Sequence, residues 1–385
     1  MSTCCTTTRG LSFLRDFAEE ARRSLDTASR EQEKRQREAN EDRRRKAEDL
    51  AERARGQVRD LLGSENRDAL RQLMRRERLA FRDLLQPPGG LKLVFEEADA
   101  ARKAKAGRFL RELGADPARL SAIGQSFQRE LQGILSPSEA RVVPGANLAM
   151  NFEEWKLLSP LHEVALPWGV LAEDPTESPH RWFLFRPPFP GSQTGFVPVA
   201  SSNFAVDAQH ILSAAEGLVG IEARMDNGDA DDFDYASVDA FTQVAFVFEP
   251  PTTGLVEVII DAQCANGTHD LRTEEEWGWS NSNTGQSNHL MLNVLHPNIP
   301  EPSFAEMSSM HVEASGDSTT HRENLTRGQH YFAHLFSAGP VPAGQPVLVL
   351  AGTRTFDISG TNDVEIHSAS SFHWFISSVE VRISP

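Results

Sequence analysis

The sequence predicts an α+β protein in two separate parts: a long-helix, coiled-coil-like region over residues 11–135, then an all-β sandwich, jelly-roll-like, over 151–385. Three observations carry this expectation. Apolar residues recur at spacings of three and four until about residue 135, and at a spacing of two beyond Met150. Charge divides at the same place: residues 1–140 hold 29 Lys and Arg against 24 Asp and Glu, whereas the remainder holds 10 against 31. The stretch SPSEARVVPGAN, Ser136 to Asn147, is rich in turn formers, so 136–150 reads as a linker. Residues 1–10 carry neither period and read as a flexible N-terminus. A chain of 385 residues has room for two or three domains, each with its own core.

In the first part, Leu14, Ala18, Ala21, Leu25 and Ala28 lie on one helix face, and Ala47, Leu50, Ala54, Val58 and Leu61 repeat the pattern. Between them, Ser29 to Lys46 holds a single apolar residue, Ala39, among interleaved charges of both signs. Pairs at i,i+4 can carry a helix through such a segment without a core, and a disordered charged linker is the competing reading. Unbroken from Leu11 to Leu62, the helix extends about 78 Å. Gly63 supplies a stop and Ser64 a cap. A second helix carries Leu70, Leu73, Met74, Phe81, Leu84 and Leu85, and a third runs from about Leu91 to Leu113, stopped by Gly114. Asp116 caps a fourth, with Pro117 at its first position and Leu120, Ile123, Phe127, Leu131 and Ile134 on its face.

In the second part, Val244, Phe246 and Phe248 alternate, PPTTG interrupts, and Val256, Val258 and Ile260 resume, which predicts a hairpin. Further strands are expected at 182–185, 217–224, 290–295, 310–314, 330–336, 346–350, 364–367 and 379–383. About ten strands without a convincing long helix imply a sandwich. Ala205 to Glu216 has room for one short helix.

Composition excludes several functions. No apolar run approaches the ~20 residues of a bilayer-spanning helix. No basic flank followed by an apolar stretch opens the chain, so a cytoplasmic protein, or one built into a particle in the cytoplasm, is expected. Cys4, Cys5 and Cys264 make no disulfide framework. The acidic second part repels phosphate backbones, which argues against nucleic acid. No GxSxG, GxxxxGK[ST], HExxH or CxxC occurs, which weakens an enzymatic reading, and acidic residues are too numerous for any catalytic pair to be chosen.

Three segments invite binding hypotheses. His330 and His334 share a face on a strand but stand about 13 Å apart, too far for one ion. DNGDADDFD offers Asp226, Asp229, Asp231, Asp232 and Asp234 as oxygen ligands for Ca²⁺, the one cofactor expected; a solvated acidic loop is the plainer reading. EEEWGWSNSNTGQSN, read as a loop, places Trp277 and Trp279 on one side, followed by Asn281 and Asn283. Indole faces beside amides suit a glycan, whose C–H face stacks while its hydroxyls hydrogen-bond; the alternative is that the indoles fill the core.

Taken together, these features favour a non-enzymatic, oligomeric assembly protein. Its helices self-associate or dock onto a larger assembly, because the Ala-rich seam of the first helix is wet in a monomer, and its acidic sandwich is a displayed binding head. Phage tail fibres share that stalk-plus-sandwich organisation, a likeness of architecture that no motif carries. The second reading is a carbohydrate-binding or carbohydrate-active sandwich with the helices as linker.

Overall fold

Alternating apolar side chains build most of the molecule. The computed structural model describes residues 34, 37–63, 65–67, 69–70, 72–73, 104–105, 107–135, 148–149, 162–165, 181–201, 203–227, 233–275, 281–296, 299–315, 319–362 and 364–384. Their strands are, in chain order, β1 (Leu148–Ala149), β2 (His162–Ala165), β3 (Arg181–Phe185), β4 (Gly191–Ala200), β5 (Phe204–Ser213), β6 (Leu218–Asn227) and β7 (Phe233–Phe248). Then come β8 (Leu255–Glu275), β9 (Asn281–His296), β10 (Ile299–Ser315), β11 (Thr319–Asn324), β12 (His330–Phe336), β13 (Val347–Asn362) and β14 (Val364–Ser384). All described pairings are antiparallel.

The strands form two sheets. Sheet A has the order β1-β4-β7-β13-β9-β10. In sheet B the long β8 and β14 lie side by side; β8 is flanked by β12 and β11 along its two halves, and β14 by β6-β5 and by β3-β2. Eight strands, β6-β14-β8-β12 facing β7-β13-β9-β10, have the strand order of a jelly roll. The β-sandwich expected from the period-two pattern is present.

Several local expectations change. The two strands flanking PPTTG are not a hairpin, for β7 belongs to sheet A and β8 to sheet B. Their alternating residues do share a core, but they reach it from opposite sheets. The short helix expected over Ala205 to Glu216 is instead strand β5, paired along its whole length with β6. The two predicted strands at 364–367 and 379–383 are the ends of one strand, β14, whose register shifts lie at His373/Trp374 and Ile376/Ser378.

Between the sheets lies a core of Val, Ile, Phe and Trp side chains, among them Phe185, Phe246, Ile260, Leu292, Val349 and Trp374. Sheet A is covered on its other face too, since all sixteen residues of β7 are buried. Part of that cover is helical. Helix α1 (37–62) and helix α2 (Pro117–Leu135) join Phe233 and Tyr235 of β7 and Ile358 of β13 in one apolar cluster. The α1 seam is the predicted one, with Ala47, Leu50, Ala54 and Val58 buried. It is nevertheless dry, being packed within the same cluster as α2 and sheet A. Over 47–62, then, the seam expected to be wet in a monomer is covered within the chain. The rest of that reasoning rests on residues 11–36, which lie outside the described residues apart from Lys34, as do the flexible N-terminus and all of the linker except β1.

Local chemistry sets the helix ends as expected. Gly63 has φ 77° and donates its N–H to the Arg59 carbonyl at 2.7 Å. Gly114, φ 73°, ends a helical stretch at 107–112, and Asp116 Oδ1 accepts the Ala118 N–H at 2.9 Å ahead of α2. Over the polar stretch, Asp42 pairs with Lys46 at 2.7 Å and Arg44 with Glu48 at 3.9 Å, the i,i+4 support the charges predict. Lys46 holds the Asp42 carboxyl below its usual pKa.

Phe127 of α2 is 1% exposed in the shared cluster. Phe127→Ala is expected to cost about 3–5 kcal/mol in denaturant unfolding of the full chain; a cost under ~1 kcal/mol contradicts the helix-on-sheet packing.

Candidate functional site

Among the described residues, sheet A is covered on both faces along β7, and the outer face of sheet B carries the exposed large side chains Phe332, Phe336 and Phe375. Strand β12 has the burial pattern exposed–intermediate–exposed–buried–exposed–intermediate–exposed. Tyr331, Ala333 and Leu335 pack on the core, while His330, Phe332, His334 and Phe336 alternate with them and face out. Phe332 is 59% and Phe336 50% exposed, far beyond what a core-forming strand leaves wet.

Register turns this row into a grid. Phe336 lies opposite Glu257 of β8, Glu257 opposite Arg382 of β14, and Arg382 opposite Trp182 of β3. The same strands align His334 with Ile259, Glu380 and Leu184 in the next tier. Four strands at about 4.8 Å spacing make a strip about 14 Å wide. The Arg382 guanidinium lies 3.7 Å from the Trp182 ring centroid and reaches Glu257 and Glu380 at 3.4 Å each. An indole at one flank and phenyl rings at the other thus bracket a charged, hydrogen-bonding centre. Phe375, 36% exposed, adds a ring farther along β14, opposite Gln263.

Histidines on this face are each held by a carboxylate. His330 Nδ1 lies 2.7 Å from Asp261, His334 Nδ1 3.6 Å from Glu257, His367 Nδ1 2.8 Å from Asp226, and His373 Nε2 3.1 Å from Glu222. His330 and His334 share a strand face as the sequence predicts, yet each has its own acidic neighbour. Among the described residues no three His, Cys, Asp or Glu side chains are grouped to hold a metal ion.

The sequence-predicted sites fare differently. Trp277, Trp279, Asp229, Asp231 and Asp232 lie outside the described residues. Asp226 sits on the outer face of sheet B beside Arg224 and His367, whereas Asp234 is buried on β7, accepting a bond from Ser201 Oγ at 3.0 Å. The two described members of the proposed calcium set thus stand on different sheets. The stretch read as a loop after Trp279 is strand from Asn281 onward. Asn281 pairs in register with Asn362, and Asn283, 8% exposed, with Gly360. Asn283 is therefore a buried sheet residue on the face that α2 covers, paired with a glycine that packs against Leu131 and Leu135, and several amides and hydroxyls of β9 have cross-strand partners. Asn288 Nδ2, for example, donates to the Thr353 and Thr355 hydroxyls at 3.0 Å.

Sequence reasoning missed Trp182, Phe332, Phe336, Phe375 and Arg382. HYFAHLF did signal alternation, but both of its faces carry large side chains, so the pattern alone does not say which is wet.

No family model matches the chain, and no curated protein does. Among solved structures, TmCBM61 in complex with β-1,4-galactotriose aligns at 11% identity over 43% of this chain and 88% of its own, with a TM-score of 0.13. The enzymatically active domain of bacteriophage CBA120 tailspike protein 4 aligns at 8% identity over 43% of this chain and 19% of its own, also at 0.13. The C-terminal family 22 carbohydrate-binding module of Clostridium thermocellum Xyn10B aligns at 11% identity over 58% and 97%, at 0.11. TM-scores this low carry no argument about fold or ligand.

A double-mutant cycle on Trp182→Ala and Arg382→Ala is expected to give a coupling of about 0.5–1 kcal/mol, the worth of a partly exposed cation–π contact. Additive effects contradict the stacked arrangement.

Proposed function

We propose that this chain is a carbohydrate-binding protein whose sandwich offers the outer face of sheet B to a neutral glycan. The observation that carries the reading is the pair of exposed phenyl rings, Phe332 and Phe336, in one register grid with Trp182, Arg382 and Glu257. Ring faces stack on the C–H face of a sugar, and the carboxylates, the guanidinium and Gln263 offer acceptors and donors to its hydroxyls. The face is acidic, with Asp207, Glu222, Asp226, Glu257, Asp261, Asp270, Glu365 and Glu380 against Arg224, Arg272, Arg322 and Arg382, which disfavours phosphorylated, sulfated or uronic ligands. In this reading the helices cover sheet A. Trp277 and Trp279 belong to a segment beginning where β8 ends, and their part in binding is tested separately.

The display-scaffold reading, with the helices joining copies or docking onto a larger particle, keeps its support only from residues 11–36, since 47–62 are covered within the chain. Sedimentation of the full chain distinguishes it from the monomeric form expected here.

A glycan array probed with the full chain is expected to give binding to neutral oligosaccharides. Phe332→Ala with Phe336→Ala should weaken that binding about tenfold or more, about 1.4 kcal/mol, while leaving thermal stability nearly unchanged because both rings are exposed. Binding lost only through Trp277→Ala or Trp279→Ala, with the β12 variants intact, relocates the site. No neutral glycan bound at all overturns the reading.

A further inference from the structure

The interior of the sandwich is not apolar throughout. Toward the end where β13 turns into β14, the inward side chains of sheet A are Thr355, Asp357, Ser359 and Thr361 of β13 and Thr284, Gln286 and Asn288 of β9, all 0% exposed. Sheet B answers with Ser368 and Ser370 of β14 and His269 of β8, again buried. Bonds cross the core between the sheets. Ser370 Oγ donates to Asp357 Oδ2 at 3.1 Å, and Gln286 Nε2 donates to Ser368 Oγ. Asp357 and Gln286 are register partners in sheet A, and His269 and Ser370 are register partners in sheet B. A carboxyl and an imidazole are thus built into one small polar layer, and among the described residues no charged side chain is bonded to either. Around them, β7 contributes Ala236 and Val238 and β6 contributes Ala223 and Met225. The exposed His311 of β10 adds only a further positive charge toward His269, and Glu323 of β11, opposite His269 in register, is exposed at the sheet edge.

We infer that the fold holds Asp357 and His269 as a buried neutral pair, with a proton on the carboxyl and an uncharged imidazole, and that this pairing balances the proton count of folding across mildly acidic pH. Burial disfavours the charged form of each group. It raises Asp357 to about 7, against the Ser370 bond, and lowers His269 to about 4, with Gln286 opposing. In the unfolded chain the aspartate titrates near ~3.9 and the histidine near ~6.5. Between those values the unfolded pair holds one proton, on the imidazole, and the folded pair also holds one, on the carboxyl. Equal proton counts give no pH slope. Separately the two groups pull in opposite directions. The raised carboxyl contributes stability that is present below its unfolded value and is lost as pH rises toward about 7. The lowered imidazole contributes stability that is present above its unfolded value and is lost as pH falls toward about 4.

Unfolding of the full chain followed from about pH 4.5 to about 6.5 tests this, with the double variant Asp357→Asn/His269→Gln as the baseline for all other groups. The wild type is expected to run parallel to that baseline. Asp357→Asn alone should gain stability with rising pH, and His269→Gln alone should lose it, each by about tenfold in the unfolding constant per pH unit. Single variants with the same slope as the wild type overturn the inference. Where a variant does not fold, the His269 ring resonance of the wild type decides: a shift constant from about pH 5 to about 7 agrees with a neutral buried imidazole, and titration within that range contradicts it.

Discussion

The double burial of sheet A is the constraint on which the rest of the molecule depends. A half-buried strand needs apolar side chains on one face only, but β7 is buried on both, at all sixteen positions. Phe233, Tyr235 and Ile358 point away from the sandwich core and would form a wet apolar patch if nothing lay over them. Helices α1 and α2 meet that need, and the sheet in turn meets theirs, because an Ala-rich seam is too narrow to hold a lone helix dry. The order of layers follows: helices, sheet A, shared core, sheet B. Among the described residues, only sheet B is left with a broad outer face in water.

That asymmetry explains where large side chains can be exposed for use. On sheet A an outward Phe356 or Ile358 is claimed by the helical layer. On sheet B an outward Phe332 or Phe336 has no layer to pack under among the described residues, so its exposure is a standing cost in hydrophobic free energy. Phe336 sits in register with Glu257, Arg382 and Trp182, and Phe332 with Asp261, which places charged groups beside the rings. The same sheet is acidic outward and neutral inward. Its outer histidines meet carboxylates, while His269, on its inner face, lies in a layer of hydroxyls and amides.

Much of the fold was legible in the sequence, and the exceptions have physical causes. The four-three spacing of Ala47 to Val58 gave the buried face of α1, and Asp116-Pro117 marked the start of α2 through ordinary capping chemistry. Period two located most strands. It does not report which sheet a strand joins, so PPTTG looked like a hairpin turn when it joins opposite sheets. The polar run Ser282 to Asn288 looked like a loop although it is strand: Ser282, Thr284, Gln286 and Asn288 face the interior, where bonds such as those of Thr284 and Asn288 reach neighbouring strands; residue type signals solvent only when no such partners exist. Of the candidate site, the shared face of His330 and His334 was readable. The role of Phe332 and Phe336 was not, since wet and dry faces of β12 are equally bulky and only the third dimension tells them apart. Asn283 was assigned to a ligand for the same reason that Gln286 and Asn288 were not recognised as core.

Removal of residues 1–140 tests the layered account most directly, with dye binding to exposed apolar surface and the thermal midpoint read on the remaining chain. The account predicts a lower midpoint and strong dye binding, because the outer face of sheet A around Phe233, Tyr235 and Ile358 loses its cover. A truncated chain that keeps the full midpoint and binds no dye would contradict it.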